Sequence, residues 1–188
     1  MGLLLATRNA HKVREMDALL APHGVDALPD DVQLPPETGE TFAENALGKA
    51  RAAAAATGRV AIADDSGIEA DALGGRPGVR SARFAGEGAT DEENLAKLLR
   101  EAPAGSRVAY VCALAYVDLD RGVEEVFEAH CTGTLAAEPR GDGGFGYDPA
   151  FVPDEHPDRT MAELSREDKD AISHRGRAVR LLRAWLDR

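Results

Sequence analysis

Apolar and polar positions along this chain switch between a helical and an extended rhythm, and the switches predict its elements. Residues 3–7, Leu-Leu-Leu-Ala-Thr, are a short apolar run and predict a buried first strand. Val13, Met16, Leu19 and Leu20 then recur at helical spacing, predicting a helix of about a dozen residues capped by Asn9 and ended near Pro22-His23-Gly24. A weak strand follows at 25–28, then a polar, proline-containing loop over 30–40. Thr41 and Glu44 make a capping box for an alanine-rich helix that reaches Thr57 and stops at Gly58. Asn45 and Lys49 share one face of that helix, the pattern of a solvated surface unless the face lines a cleft.

The next apolar run, 60–63, predicts a strand that delivers Asp64 and Asp65, followed by Ser66 and Gly67. Neighbouring side chains of a strand point to opposite faces, so one aspartate can look into a cleft while the other turns into the scaffold. Gly67 is expected to let the chain leave the strand sharply, into a long loop punctuated by Gly74, Gly75, Pro77, Gly78 and Gly86. Arg76, Arg80 and Arg83 in that loop are expected to bring positive charge close to the two acids. Carboxylates at a strand end suit a hard cation such as magnesium, and acid with nearby base is what a metal and phosphate site needs.

Thr90 and Glu93 form a second capping box, predicting a packing helix through Arg100 with Leu95, Leu98 and Leu99 inward. Residues 107–118 and 123–135 are the clearest strands; the first is apolar on both faces and therefore central. The turn between them predicts an antiparallel hairpin, and its presence in an otherwise alternating strand-helix chain predicts a mixed sheet. The loop 141–149, Gly-Asp-Gly-Gly-Phe-Gly-Tyr-Asp-Pro, can bring backbone close to a ligand while Phe145 offers a flat face. A short helix near 165–171 and a last one through Trp185, capped by Ser173, complete the pattern. Lys169, His174 and Arg175 cluster before and at the start of that last helix and favour an anion or a carbonyl oxygen. Thr7, Arg8, Asn9, Ala10, His11 and Lys12 lie between the first strand and helix, where a helix N-terminus and a lysine one turn in make an anion site; the Walker glycine pattern is absent.

With 188 residues, the chain reads as one domain over 1–188, with room for two lobes. A composition 44% hydrophobic and 29% charged allows a full core and argues against disorder. The net charge of -11 argues against affinity for nucleic-acid backbone or anionic membrane, though a local basic cluster can still hold a small phosphate ligand. No apolar run approaches a membrane span, and the first residues lack the basic leader of a signal peptide. Cys112 and Cys131, both in strand-like runs, fit free thiols in a reducing compartment, so a cytoplasmic protein is expected.

Taken together, the motifs TRNAHK (7–12), FAENALGKA (42–50), ADDSGIEADALGGRPGVRSARFAG (63–86), GGFGYDPAF (143–151) and AELSREDKDAISHRGRA (162–178) resemble, in order and over nearly the whole chain, the inosine triphosphate pyrophosphatase family. Two departures stand out: the family usually carries glycine where this chain has Arg8, and often an aromatic where it has Arg80. The resemblance implies an α/β fold, an elongated mixed β-sheet flanked by helices in two lobes with a central cleft, and a homodimer. It implies hydrolysis of deaminated purine nucleoside triphosphates such as ITP, dITP and XTP to the monophosphate and pyrophosphate, with Mg2+ as cofactor. Carried over residue by residue, it implies that residues 7–12 and Lys49 hold the triphosphate, and that Glu37 and Asp65 are metal ligands. Asp65 would also accept the proton of the attacking water, with Asp64 in support and Ser66 a substrate contact. Phe145, Gly146, Tyr147, Asp148, Lys169, His174 and Arg175 would form the nucleoside pocket. A same-fold pyrophosphatase for modified pyrimidine nucleotides and a non-catalytic nucleotide sensor remain open beside this reading.

Overall fold

The computed structural model describes residues 2–8 and 10–188; Met1, Asn9 and the side chains of Ala10 and His11 lie outside the described set. The helix cap expected of Asn9 therefore falls outside it. Among the described residues six strands form one sheet in the order β2-β1-β3-β4-β5-β6. They are β1 (Leu3–Leu5), β2 (Val25–Ala27), β3 (Ala61–Ala70), β4 (Arg107–Asp118), β5 (Val123–Leu135) and β6 (Phe151–Pro153). The helices are α1 (Ala10–Leu20), α2 (Phe42–Thr57), α3 (Asp91–Glu101), α4 (Arg166–Ile172) and α5 (His174–Leu186). The sheet is mixed as expected: β1 runs parallel to both β2 and β3, whereas β5 and β6 are antiparallel. β4 and β5 are neighbours joined by four residues, a connection too short for anything but an antiparallel pair.

Contacts divide the chain into two compact units. The first takes residues 1–65, 112–129 and 175–188; the second takes 66–111 and 130–174. The first unit has a core of Leu5, Met16, Leu20, Ile62, Cys112, Leu114, Ala178, Val179 and Leu182. The apolar stripe of α1 supplies Met16 and Leu20 as predicted, and the last helix supplies the final three. The second unit packs Ile68, Leu95, Leu98, Val108, Tyr110, Phe151 and Met161. Both expected capping boxes are present, Thr41 with Glu44 and Thr90 with Glu93, and Gly58 ends α2 in the left-handed conformation.

One expected feature is overturned. β3 does not end at Gly67 but runs unbroken through Asp64, Asp65, Ser66 and Gly67 to Ala70. The reason is that Ile68 and Ala70 are fully buried, continuing the apolar inward rhythm, while Lys12 meets Asp64 and Asn45 meets Asp65, so the acids need no turn in water. The loop beyond it begins at Asp71 and folds into two short 3-10 turns, Asp71–Leu73 and Gly78–Arg83. The strand β6 was not visible in the sequence, where three residues carry too little period to read.

Candidate active site

In the first unit, strand alternation sends Asp64 and Asp65 to different partners. Asp64 is wholly buried; its Oδ2 receives Lys12 Nζ at 2.9 Å and Arg175 Nε and Nη2 at 3.3 and 3.2 Å. Arg175 is itself only 2% exposed and donates Nη1 to Glu15 Oε2 at 2.5 Å. Lys12 and Glu15, one turn apart on α1, thus hold opposite ends of a buried network of two acids and two bases. Burial pushes the Asp64 carboxyl up, but Lys12, Arg175 and Lys49 more than reverse it and hold it well below the usual carboxylate range. Cys112, buried nearby, stays a thiol, pushed up to about 12 chiefly by desolvation.

Asp65 belongs to a second set. Its Oδ2 accepts Asn45 Nδ2 at 2.9 Å, and Asn45 Oδ1 in turn accepts the Gly39 N–H at 2.8 Å. Lys49, one helical turn from Asn45, donates to Glu37 at 2.5 Å. The face of α2 that carries Asn45 and Lys49 is buried, Asn45 being 5% exposed, because it is the side of the helix that meets the acids of β3 and of the 30–40 loop. Burial leads in raising the Asp65 carboxyl above its ordinary range, with Lys49 and Asn45 pulling it back and Glu37 adding to the rise. Adjacent aspartates are thus displaced in opposite directions, the pattern by which paired carboxylates take different roles.

Among the described residues, no group of three or more His, Cys, Asp or Glu side chains stands together as a metal cage. Glu37 and Asp65 nevertheless fit a divalent ion of magnesium type. They are two hard, acceptor-only carboxylates close enough for the charge of one to raise the other, and magnesium commonly takes one or two carboxylates and completes its shell with phosphate and water.

The second unit carries the glycine loop. Asp148 is buried and accepts Tyr110 Oη at 3.0 Å, the Phe145 N–H at 2.9 Å and Lys169 Nζ at 2.6 Å. Lys169 also lies 4.9 Å from the centre of the Phe145 ring, which stays 38% exposed and is not tucked into the core. The Gly146 N–H donates to Asp91 at the start of α3, and Tyr147 Oη donates to the Ser81 carbonyl at 2.7 Å. Helix α3 therefore does more than pack, since it also ties the loop. His174 is buried with its ring stacked on Tyr110 at 4.7 Å.

The other expected site residues have these surroundings. Arg175, expected beside the base with Lys169, is engaged by Asp64 and Glu15 in the first unit, because the helix it opens carries its guanidinium to the buried acid. Arg8 donates to the carbonyls of Asp30 and Val32 at 3.1 and 2.7 Å, so it anchors the 30–40 loop. Arg76 and Arg83 pair with Glu101 and Glu87, and the cations that act on Asp64 are Lys12, Arg175 and Lys49 instead of the loop arginines. Ser66 continues β3 and Thr7 follows β1, both half-buried. Asn9 and the side chains of Ala10 and His11 are outside the described residues. Sequence reasoning assigned no site role to Glu15, Asn45 or Tyr110. For Glu15 the signal was its spacing from Lys12; for Asn45, its place one turn before Lys49 on an alanine-rich helix.

The loop geometry also yields an expected result. A Cβ on Gly144, which has φ of +72°, would stand 2.0 Å from Asp148 Oδ2, whereas one on Gly146, at +63°, meets nothing. Both Gly→Ala changes carry left-handed strain of about 1–3 kcal/mol. Gly144→Ala in addition displaces Asp148. Thermal unfolding should fall for both, and the Michaelis constant for the substrate should rise distinctly more for Gly144→Ala. Equal values for the two variants would remove Asp148 from substrate binding.

Comparison with known proteins supplies the family. The model of the Ham1 family matches residues 3–185. The chain is similar to a dITP/XTP pyrophosphatase of Geobacillus kaustophilus (strain HTA426), 52% identical over 186 residues that make up 94% of this chain and 90% of that protein. It is likewise similar to a dITP/XTP pyrophosphatase of Mycolicibacterium paratuberculosis, 51% identical over 96% of this chain and 93% of the relative. Among solved structures, a HAM1 protein from Coxiella burnetii superposes with a TM-score of 0.90 at 39% identity, covering 100% of this chain and 98% of that one. The resemblance read from the motifs and the mixed α/β fold are thereby borne out. With a family model that spans residues 3–185 and relatives about half identical over nearly their whole length, the chain belongs to the Ham1 family.

Proposed function

We propose that this protein hydrolyses non-standard purine nucleoside triphosphates, ITP, dITP and XTP among them, to the monophosphate and pyrophosphate. The observation that carries this reading is the division of labour between Asp64 and Asp65. One acid is locked to Lys12 and Arg175, and the other accepts the Asn45 amide and is raised above the ordinary carboxylate range, chiefly by burial. The relatives named dITP/XTP pyrophosphatase supply the substrate class.

Lys12 and Lys49 present ammonium groups against carboxylates, Asp64 and Glu37, and we assign them to the triphosphate oxygens. Glu37 and Asp65 would hold Mg2+, which when bound supplies positive charge that stabilises the phosphate oxygens and the departing pyrophosphate. Asp65 takes a proton from the attacking water as its oxygen bonds to phosphorus, and a phosphoanhydride bond breaks to free pyrophosphate. Arg175 and Glu15 keep Asp64 ionised and fixed, so that Lys12 stays in place on α1. In the second unit, Lys169 is a pure donor and Asp148 a pure acceptor. Together they match the six-oxo group and the neighbouring N1–H of hypoxanthine or xanthine, and they oppose adenine, which presents an amino group and a bare nitrogen. Phe145 offers its exposed face to the base. Among the described residues no helix is long and apolar enough to cross a membrane. The homodimer and the cytoplasmic setting belong to this proposal, the first on resemblance and the second on composition.

Turnover of ITP, XTP and dITP should far exceed that of ATP, and a chelator such as EDTA should abolish it, with recovery on adding excess Mg2+. Full activity in chelator would remove the metal from the reaction and leave Glu37 without its assigned role.

A further inference from the structure

Tyr110 is absorbed by none of the roles above, yet it touches two of the residues assigned to the base. Its ring lies in a stack between Phe151, 4.4 Å away at 19°, and His174, 4.7 Å away at 15°. Its hydroxyl donates to Asp148 Oδ1 at 3.0 Å. The other carboxylate oxygen, Oδ2, is taken by Lys169 and by the Phe145 N–H. A carboxylate has about four acceptor positions, two on each oxygen. Oδ2 has both of its positions filled by these two donors, and Oδ1 has one filled, by Tyr110. Counted over the described residues, the position that remains is on Oδ1, beside the phenol.

Resting on the reading of Asp148 and Lys169 as the base-recognition pair, we infer that Tyr110 is a positioning and specificity-determining residue. Its hydroxyl orients the Asp148 carboxylate so that Oδ1 offers one remaining acceptor to the N1–H of a six-oxo purine, and its ring sets the plane of His174. The hydroxyl acts through direction. With Lys169 and the Phe145 N–H both on Oδ2, the carboxylate could still pivot about that oxygen, and the phenol is the contact that fixes where Oδ1 points. The same side chain couples two groups on separate stretches of chain, Asp148 in the glycine loop and His174 at the start of α5. A tyrosine in a strand apolar on both faces would not otherwise need its hydroxyl aimed at a buried carboxylate, since phenylalanine would fill the same stack.

The test is Tyr110→Phe, which keeps the ring and its stacking and removes one hydrogen bond to a charged group. Such bonds correspond to about a tenfold change in an equilibrium or more. The specificity constant for ITP should fall about tenfold, carried by KM with kcat little changed. That for ATP should fall by clearly less, so the ratio of the two narrows. Calorimetric titration with inosine monophosphate should show the same loss of affinity without reference to turnover. In an Asp148→Asn background, Tyr110→Phe should add almost nothing, because the two act through one contact. A ratio of ITP to ATP that does not move in Tyr110→Phe, while Asp148→Asn does move it, overturns the role of Tyr110 and leaves base recognition by Asp148 standing. A ratio unmoved by Asp148→Asn overturns both. Should Tyr110→Phe lower the melting temperature and reduce both substrates equally, the residue is only structural and the inference fails.

Discussion

Asp65→Asn is expected to remove most turnover and leave the fold intact. The substitution changes charge with almost no change of volume. The oxygen that accepts Asn45 Nδ2 at 2.9 Å can be kept by rotating the new amide, so the link from β3 to α2 survives. What is lost is the proton acceptor and one of the two carboxylates assigned to the metal. Loss of a general base costs on the order of 10²–10⁴-fold in rate. Asp64 is not positioned to take over. It is wholly buried, two cations already share its Oδ2, and they hold it well below the range in which a carboxylate readily accepts a proton. The measurement is kcat on ITP beside an unfolding curve for the same preparation. A folded variant with near-normal kcat would transfer the role to Glu37 or Asp64.

Arg175→Ala is expected to have the largest effect on stability. The side chains of Asp64 and Arg175 are 0% and 2% exposed, and Glu15 closes the network from α1. Removing the guanidinium leaves a buried carboxylate with Lys12 alone on Oδ2, and Asp64 Oδ1 has no hydrogen bond among the described residues to share the burden. Breaking one partner out of a buried pair costs about 3–5 kcal/mol, much of it the charge left behind. Arg175→Lys should recover only part, since an ammonium cannot span Asp64 and Glu15 with a planar fork. Denaturant unfolding at neutral pH reads this directly as a lower midpoint with an unchanged slope. A midpoint equal to wild type in Arg175→Ala would show that the network contributes nothing net to the fold.

Much of the fold was legible because its elements are long and strongly periodic. The β4–β5 hairpin, the two capping boxes and the stripe of α1 each rest on several residues that agree. The misreadings share a cause: local pattern cannot report what sits opposite a side chain. Gly67 reads as the exit from the strand because a glycine after two acids and a serine interrupts the apolar run. Lys12, Arg175 and Asn45, distant in sequence, make the burial tolerable and let β3 continue to Ala70. For the same reason the sequence left the face of Asn45 and Lys49 open between solvent and a cleft. The arginines of the long loop are near the acids in sequence, yet Arg76 and Arg83 pair with Glu101 and Glu87, while Arg175, far along the chain, reaches Asp64. Candidate site residues could be named from motifs, but their sorting into an Asp64 network, an Asp65 set and an Asp148 set needed coordinates.

The central claim is that the chain cleaves a nucleoside triphosphate to release pyrophosphate in one step. It is tested most directly by following the products of ITP over time in Mg2+, with nucleotides and inorganic products separated and quantified. Inosine monophosphate and pyrophosphate should appear together in equal amounts from the earliest time point, with no inosine diphosphate at any stage. Diphosphate and orthophosphate as first products, or binding of ITP with no hydrolysis, would contradict it.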